Sequence, residues 1–306
     1  MTIENSRAVS NRRIRQTIMI SLGAVALFLV VRALPTSEEH LNYTDFHAGE
    51  KGILDFCEPG SASFVPVEAV RSPVTLTLIA DDPLVTDRPA TIRVYLTAAS
   101  GKPLTAENLL VVHTRKLHLL VTDSSLTDYQ HIHPEPTGIP GEFDFSLTPR
   151  SGGRYMAYAD FTPRATGRAL YAGTSIEVSG SPDAAVAVES WKCVVEGIVF
   201  TLAVAELPIR TNQTVTLTLG LRRSDGTVPA LELIMDAYAH MVAFDFAQQG
   251  FAHLHPQEFY LSDSRGSPAQ LSFLLNLPDP GWYRIWAQVL VAGNELFAPF
   301  TIEVIP

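Results

Sequence analysis

The feature that most constrains this chain is an internal duplication. His118-Leu119-Leu120-Val121-Thr122-Asp123 is answered by His240-Met241-Val242-Ala243-Phe244-Asp245. Tyr129-Gln130-His131-Ile132-His133-Pro134 is answered by Phe251-Ala252-His253-Leu254-His255-Pro256, and both pairs keep an offset of 122 residues. Phe145–Tyr155 then matches Phe273–Tyr283 at offset 128, ending on Gly153-Arg154-Tyr155 and Gly281-Trp282-Tyr283. The copies close on Ile176-Glu177-Val178 and Ile302-Glu303-Val304. Self-similarity of this kind means one structural unit built twice. We place unit one at 72–180 and unit two at 190–306, joined by the turn-forming hinge Ser179-Gly180-Ser181-Pro182-Asp183.

Period-2 alternation dominates both units. Val74, Leu76 and Leu78 alternate with Thr75, Thr77 and Ile79, and Val215, Leu217, Leu219 and Leu221 alternate with Thr216, Thr218 and Gly220. Such stretches are half-buried strands, separated here by Gly, Pro and Asp clusters. The fold class expected is all-β: two tandem immunoglobulin-like β-sandwich domains following a single N-terminal transmembrane helix. Roughly seven or eight short strands fit each unit. The Gly-x-Tyr segments resemble the tyrosine corner of such sandwiches.

The N-terminus carries Arg7, Arg12, Arg13 and Arg15 ahead of an apolar run, Ile18 to Val31. A basic flank before an apolar stretch reads as an export signal or a signal anchor. The division expected is a cytoplasmic N-terminus at 1–16, a transmembrane anchor at 17–34 and an extracytoplasmic linker at 35–71. The arginines orient the N-terminus inward and the bulk of the chain outward, on a single-pass protein of the cytoplasmic membrane facing the periplasm or exterior. The uninterrupted run is only 14 residues, short of the roughly 20 a span needs. Arg32 therefore has to snorkel for 17–34 to cross, and cleavage remains the other reading.

The chain's formal charge is -10. Setting aside Glu4 and the four N-terminal arginines leaves 18 basic and 31 acidic residues, about -13 on the exported part. Nucleic acid is excluded as main partner, because phosphate binding needs a basic surface. Two cysteines, Cys57 and Cys193, cannot build a four-cysteine zinc site or an iron–sulfur cluster. An oxidising compartment would allow them to pair as a disulfide.

The histidines carry the chemistry. In an antiparallel hairpin, opposed residues share a face. Leu117, Leu119, Val121 and Ile132 then face the core, and His118, His131 and His133 fall on the opposite face. The same parity puts His240, His253 and His255 together, with Met241 and Leu254 on the core side. Three imidazoles converging with a position left open is a metal-ligand geometry that suits copper or zinc. The competing reading is that these histidines brace a sandwich corner by hydrogen bonding. Asp123 and Asp245 either orient a histidine or cap a turn. Met241 points away and is not counted as a ligand. His113 differs in parity from His118 and is assigned to surface or core. His40 and His47 belong to the solvated linker.

The aromatic-x-His-x-His-Pro segments followed by Gly-x-Tyr resemble exported bacterial Ig-like modules of the YtkA-like family and its relatives. The resemblance spans roughly 220 residues and implies an exported binding module associated with copper handling or membrane respiratory systems. It carries over to His118, His131, His133, His240, His253 and His255. No G-x-S-x-G, H-E-x-x-H, phosphate-binding loop or dinucleotide fingerprint occurs, so a non-enzyme is expected. Two functions follow. One is a membrane-anchored extracytoplasmic module with one three-histidine copper or zinc site per repeat. The other is a non-catalytic accessory subunit of a larger electron-transfer or transport complex, docking a protein partner through its sandwiches.

Overall fold

The computed structural model describes residues 3–33, 41, 64–70, 72–258 and 270–306. An α-helix, α1, runs Ile3–Ala33. Among the described residues no helix is long and apolar enough to cross a membrane. The expected transmembrane span at 17–34 is not shown by the described residues.

Among the described residues, all other regular structure is strand, apart from a short helical turn at Ala106–Asn108. The first repeat holds β1 (Val74–Ala80), β2 (Leu84–Val85), β3 (Ala90–Ala98), β4 (Leu117–Asp123), β5 (Tyr129–Ile132), β6 (Glu135–Pro136), β7 (Glu142–Leu147), β8 (Gly153–Phe161) and β9 (Leu170–Ser179). They form one sheet in the order β1-β3-β7-β6 and a second in the order β2-β9-β8-β4-β5. The second repeat holds β10 (Lys192–Val195), β11 (Ile198–Val204), β12 (Ile209–Arg210), β13 (Val215–Arg223), β14 (Ala239–Asp245), β15 (Phe251–Leu254), β16 (Gln270–Leu275), β17 (Gly281–Val291) and β18 (Asn294–Ile305). Its sheets run β10-β11-β13-β16 and β12-β18-β17-β14-β15. The duplication is thus structural, with β10 an added edge strand.

Each repeat packs its two sheets face to face. In the first, the alternating Ile92, Val94 and Leu96 of β3 share a core with Leu117, Leu119 and Val121 of β4. In the second, Leu217, Leu219 and Leu221 of β13 meet Met241 and Ala243 of β14. Full burial of each such side chain stabilises the fold by about 1.5–3 kcal/mol. The Gly-x-Tyr hydroxyls tie chain to chain as expected. Tyr155 Oη accepts from the backbone N–H of Ser151 at 3.0 Å and donates to Asp128 at 2.7 Å. Tyr283 Oη donates to the Asp279 carbonyl at 2.9 Å.

A third apolar cluster lies between the repeats. Leu120, Leu126, Tyr129, Met156 and Tyr158 pack with Val242, Phe244, Phe251 and Trp286. Ring centroids of Tyr129 and Phe244 are 5.5 Å apart, and those of Tyr158 and Phe251 5.4 Å. Polar bonds cross the same seam: Trp286 Nε1 donates to the Leu126 carbonyl at 3.2 Å, and Tyr158 Oη to the Gln248 carbonyl at 2.7 Å. The β4 and β14 sheets are therefore covered on both faces, which is why every residue of β4 is buried.

Part of the expected linker belongs to this body. Val65 pairs with Phe251 through two backbone bonds of 2.7 and 3.2 Å, extending the β15 edge, and Val67 enters the inter-repeat cluster. Gly250 permits the approach, since a Cβ there would sit 1.9 Å from the Val65 carbonyl oxygen. Cys193 lies half-buried against the second core, where burial pushes its thiol up to about 11. Cys57, like His40 and His47, lies outside the described residues.

Candidate metal centre

Strand pairing sets the site. In the first repeat Leu120 opposes His131 and Leu119 opposes Ile132, so the histidines stand on the face away from the sandwich core. In the second, Val242 opposes His253 and Met241 opposes Leu254. The parity expected from the sequence holds in both. That face is not open to solvent, however. It is the seam between the repeats, and His118 and His240 are almost fully buried there.

Each triad can gather its ligand nitrogens: those of His118, His131 and His133, and likewise those of His240, His253 and His255, lie within 4.8 Å of one another. The two triads also abut. Ring centroids of His131 and His253 are 5.6 Å apart, those of His118 and His253 6.2 Å, and those of His131 and His240 6.1 Å. Within the triads, His118–His133 (5.0 Å) matches His240–His255 (4.9 Å), and His131–His133 matches His253–His255 at 4.8 Å. Equal distances in both directions across the seam mean that a local two-fold axis relates the repeats and passes between His131 and His253. Each repeat thus contributes one three-histidine group, as expected, and the two groups adjoin in one cluster.

The supporting bonds fix which nitrogens are free. His118 Nε2–H donates to the Val112 carbonyl at 3.0 Å, and His240 Nε2–H to the Ile234 carbonyl at 3.1 Å. Both rings therefore present Nδ1 as a lone pair. His131 Nδ1–H donates to Gln288 Oε1 at 2.8 Å, with the Gln288 amide nitrogen engaged by Glu295. His253 Nδ1–H donates to the Asp160 carboxylate at 3.2 Å. These two rings present Nε2. Asp160 sits opposite His118 on β8, and Gln288 opposite His240 on β17. Each central histidine is therefore oriented by a residue of the other repeat, the kind of outer support that fixes a metal-ligating imidazole.

The consequence is a set of buried lone pairs with nothing to accept. Nδ1 of His240 and Nε2 of His253 are such lone pairs without a hydrogen-bond partner, and Nε2 of His133 and His255, whose rings make no bond that sets their tautomer, are likewise buried without one. Nδ1 of His118 and Nε2 of His131 face each other at 3.3 Å, although the N–H of each ring is committed elsewhere. Two ligands about 2.0–2.1 Å from a tetrahedral ion stand roughly 3.3 Å apart, so this separation suits a shared cation.

Protons do not fill that role at neutral pH. Burial pushes His131 and His253 well below the ordinary imidazole value, with neighbouring histidines adding to the shift. Burial likewise brings His133 to about 3 and His240 to about 4, and lowers His118 and His255. The Asp160 carboxyl is pushed up to about 6, again by burial.

Asp123 and Asp245 do not touch the histidines. Asp123 takes the N–H groups of Ser125, Thr127 and Asp128, and Asp245 those of Gln249 and Gly250, so both cap turns. His113 is corrected: it belongs to the cluster, its ring stacked on His255 at 4.0 Å and 5.8 Å from His240. A left-handed backbone at His113 and Thr114 (φ 48° and 66°), in the turn closed by Val112 and Arg115, carries it there. Strand parity does not extend through such a turn. Asp160 and Gln288, which share the 128-residue offset of the Gly-x-Tyr blocks, were the partners that parity alone did not reveal.

No curated protein matches this chain. Among solved structures, one described as a membrane-anchored protein of Corynebacterium diphtheriae is 13% identical over 76% of this chain and 59% of that one, with a TM-score of 0.24. A Salmonella alpha-2-macroglobulin mutant is 12% identical over 76% of this chain and 16% of that one, also at 0.24. This chain therefore spans less than two thirds of either, and at those scores neither likeness bears on its function. The likeness to YtkA-like modules remains a resemblance resting on the short aromatic-x-His-x-His-Pro motif. A family model described as "Domain of unknown function (DUF8832)" matches residues 69–180 and again 193–305, and the chain belongs to that family, in two copies.

Proposed function

We propose that this protein is an extracytoplasmic, non-enzymatic metal-binding module that holds copper or zinc in the histidine cluster between two immunoglobulin-like sandwiches. One observation carries the reading: His118, His240, His131 and His253 have their N–H groups tied to Val112, Ile234, Gln288 and Asp160, so four imidazoles turn lone pairs toward one another beside His133 and His255. Buried acceptors without donors are costly, and a cation satisfies them together. The bracing alternative would have histidines donate to one another, and the tautomers of His118, His131, His240 and His253 oppose that, leaving only His133 and His255 to do so. The sheet order, with a short second strand running parallel to the last, supports the immunoglobulin-like assignment. The basic flank and apolar run of the N-terminal helix support export.

The test is competitive titration of the full chain with Cu(I), Cu(II) and Zn(II), with bound metal counted by mass spectrometry. Wild type is expected to take up metal, and a His131→Ala/His133→Ala/His253→Ala/His255→Ala variant to take up none at the same free-metal concentration. Equal weak binding by both would exclude the site. Activity of an alkaline phosphatase fused to the C-terminus reports export; a silent fusion that accumulates normally would contradict the location.

A further inference from the structure

The two triads are related by the local axis, but the residues around them are not identical. The turn that brings His113 into the cluster recurs in the second repeat as Ile234-Met235-Asp236-Ala237, 122 residues on. It is closed by the same kind of bridge, Ile234 with Ala237, and has the same left-handed pair, Met235 at φ 49° and Asp236 at φ 63°. The first histidine of each triad donates to the carbonyl of the same turn residue, Val112 or Ile234. Met235 is thus the two-fold mate of His113. Since His113 stacks on His255 of the opposite triad, the axis sets Met235 against His133. Met235 is buried yet belongs to none of the three apolar clusters, as a side chain directed at the histidines would be. Asymmetry recurs in the supports: His253 leans on the Asp160 carboxylate and His131 on the neutral Gln288 amide.

We propose that Met235 supplies a fourth donor to the His118, His131, His133 triad alone and makes the two sites chemically unequal. The inference rests on the metal-binding reading above. His118, His131, His133 and Met235 form a soft, uncharged site that selects Cu(I), because a thioether favours the monovalent ion. His240, His253 and His255, backed by the Asp160 carboxylate, form an all-imidazole site with its fourth position open that selects a divalent ion, Zn(II) or Cu(II). Charge argues the same way. The Asp160 carboxylate bonds directly to a histidine of the second triad, whereas Glu295 reaches the first only through the neutral Gln288 amide, so the divalent ion belongs with the second triad.

The test loads the full chain with Cu(I) and Zn(II) together and reads stoichiometry, affinity by chelator competition, and copper-edge X-ray absorption. Wild type is expected to hold one of each, with a sulfur scatterer at copper. Met235→Leu should lose that scatterer and weaken Cu(I) by about tenfold or more, the scale on which even outer partners act, while zinc binding stays within about threefold and shows that the variant is folded. Met235→His should convert the chain to two zinc ions. Metal uptake with no sulfur signal, and with Cu(I) affinity unchanged in Met235→Leu, overturns this inference and leaves the metal-binding reading standing. No metal uptake by wild type overturns both.

Discussion

Acid should unfold the metal-free protein at a pH where most β-sandwich proteins are comfortable. Five histidines, His131, His133, His240, His253 and His255, are held by burial far below their ordinary range, two of them at about 3 and about 4. In the unfolded chain each titrates near 6.5. Below that value the unfolded state binds more protons than the folded state, so stability is lost as pH falls. Between pH 7.5 and 5.5 a histidine that stays neutral in the fold costs about 1.4 kcal/mol, or about 7 kcal/mol for five. Asp160 acts in the opposite sense, because its folded value of about 6 lies above the 3.8 of the free side chain; protonation in the fold returns about 1 kcal/mol. A net loss of about 6 kcal/mol is a large part of the 5–15 kcal/mol that typically separates folded from unfolded states. The assay is urea denaturation of chelator-treated protein at pH 7.5, 6.5 and 5.5, followed by tryptophan fluorescence, with Trp286 in the seam as reporter. At an m-value of about 3 kcal/mol/M, the midpoint should fall by about 2 M. A midpoint constant across that range would refute the buried, neutral cluster.

Three further outcomes follow from the seam. Asp160→Asn should weaken metal at the His240, His253, His255 triad by about 10–100-fold, and Gln288→Leu should do the same at the opposite triad, because each orients a central histidine across the repeats; chelator competition on each variant reads this. Gly250→Ala should expel the 64–70 segment, because its Cβ collides with the Val65 carbonyl, and should expose that segment to limited proteolysis at an unchanged overall fold. Phe244→Ala removes a ring packed against Tyr129 and Tyr158 and should cost about 3–5 kcal/mol in urea denaturation, together with a loss of metal affinity as the seam loosens.

Much of this site was legible from residue parity. A two-residue period fixes which side chains share a face, so H-x12-H-x-H at one spacing in two copies foretold that the six histidines gather into two triads. What parity cannot supply is what covers that face. The signal was present in the composition of the strands: Leu120, Val242 and Phe244 stand beside the histidines, and an apolar residue there is out of place on a solvated face. Taken together with the duplication, those residues indicate that the two histidine faces meet. His113 escaped because a left-handed turn separates it from β4 and cancels the alternation. Asp160 and Gln288 escaped because they act across the seam, and nothing in a strand's own pattern identifies a partner in another domain.

The central claim is that one buried cluster, built jointly by both repeats, holds the metal. Anomalous diffraction at the zinc edge, from crystals of the zinc-loaded chain, tests it most directly. The account predicts anomalous density inside the seam, about 2.0–2.1 Å from Nδ1 of His240 and Nε2 of His253 and His255, with Asp160 still on His253. Density confined to surface carboxylates, with the seam histidines bonded only to one another, would contradict it.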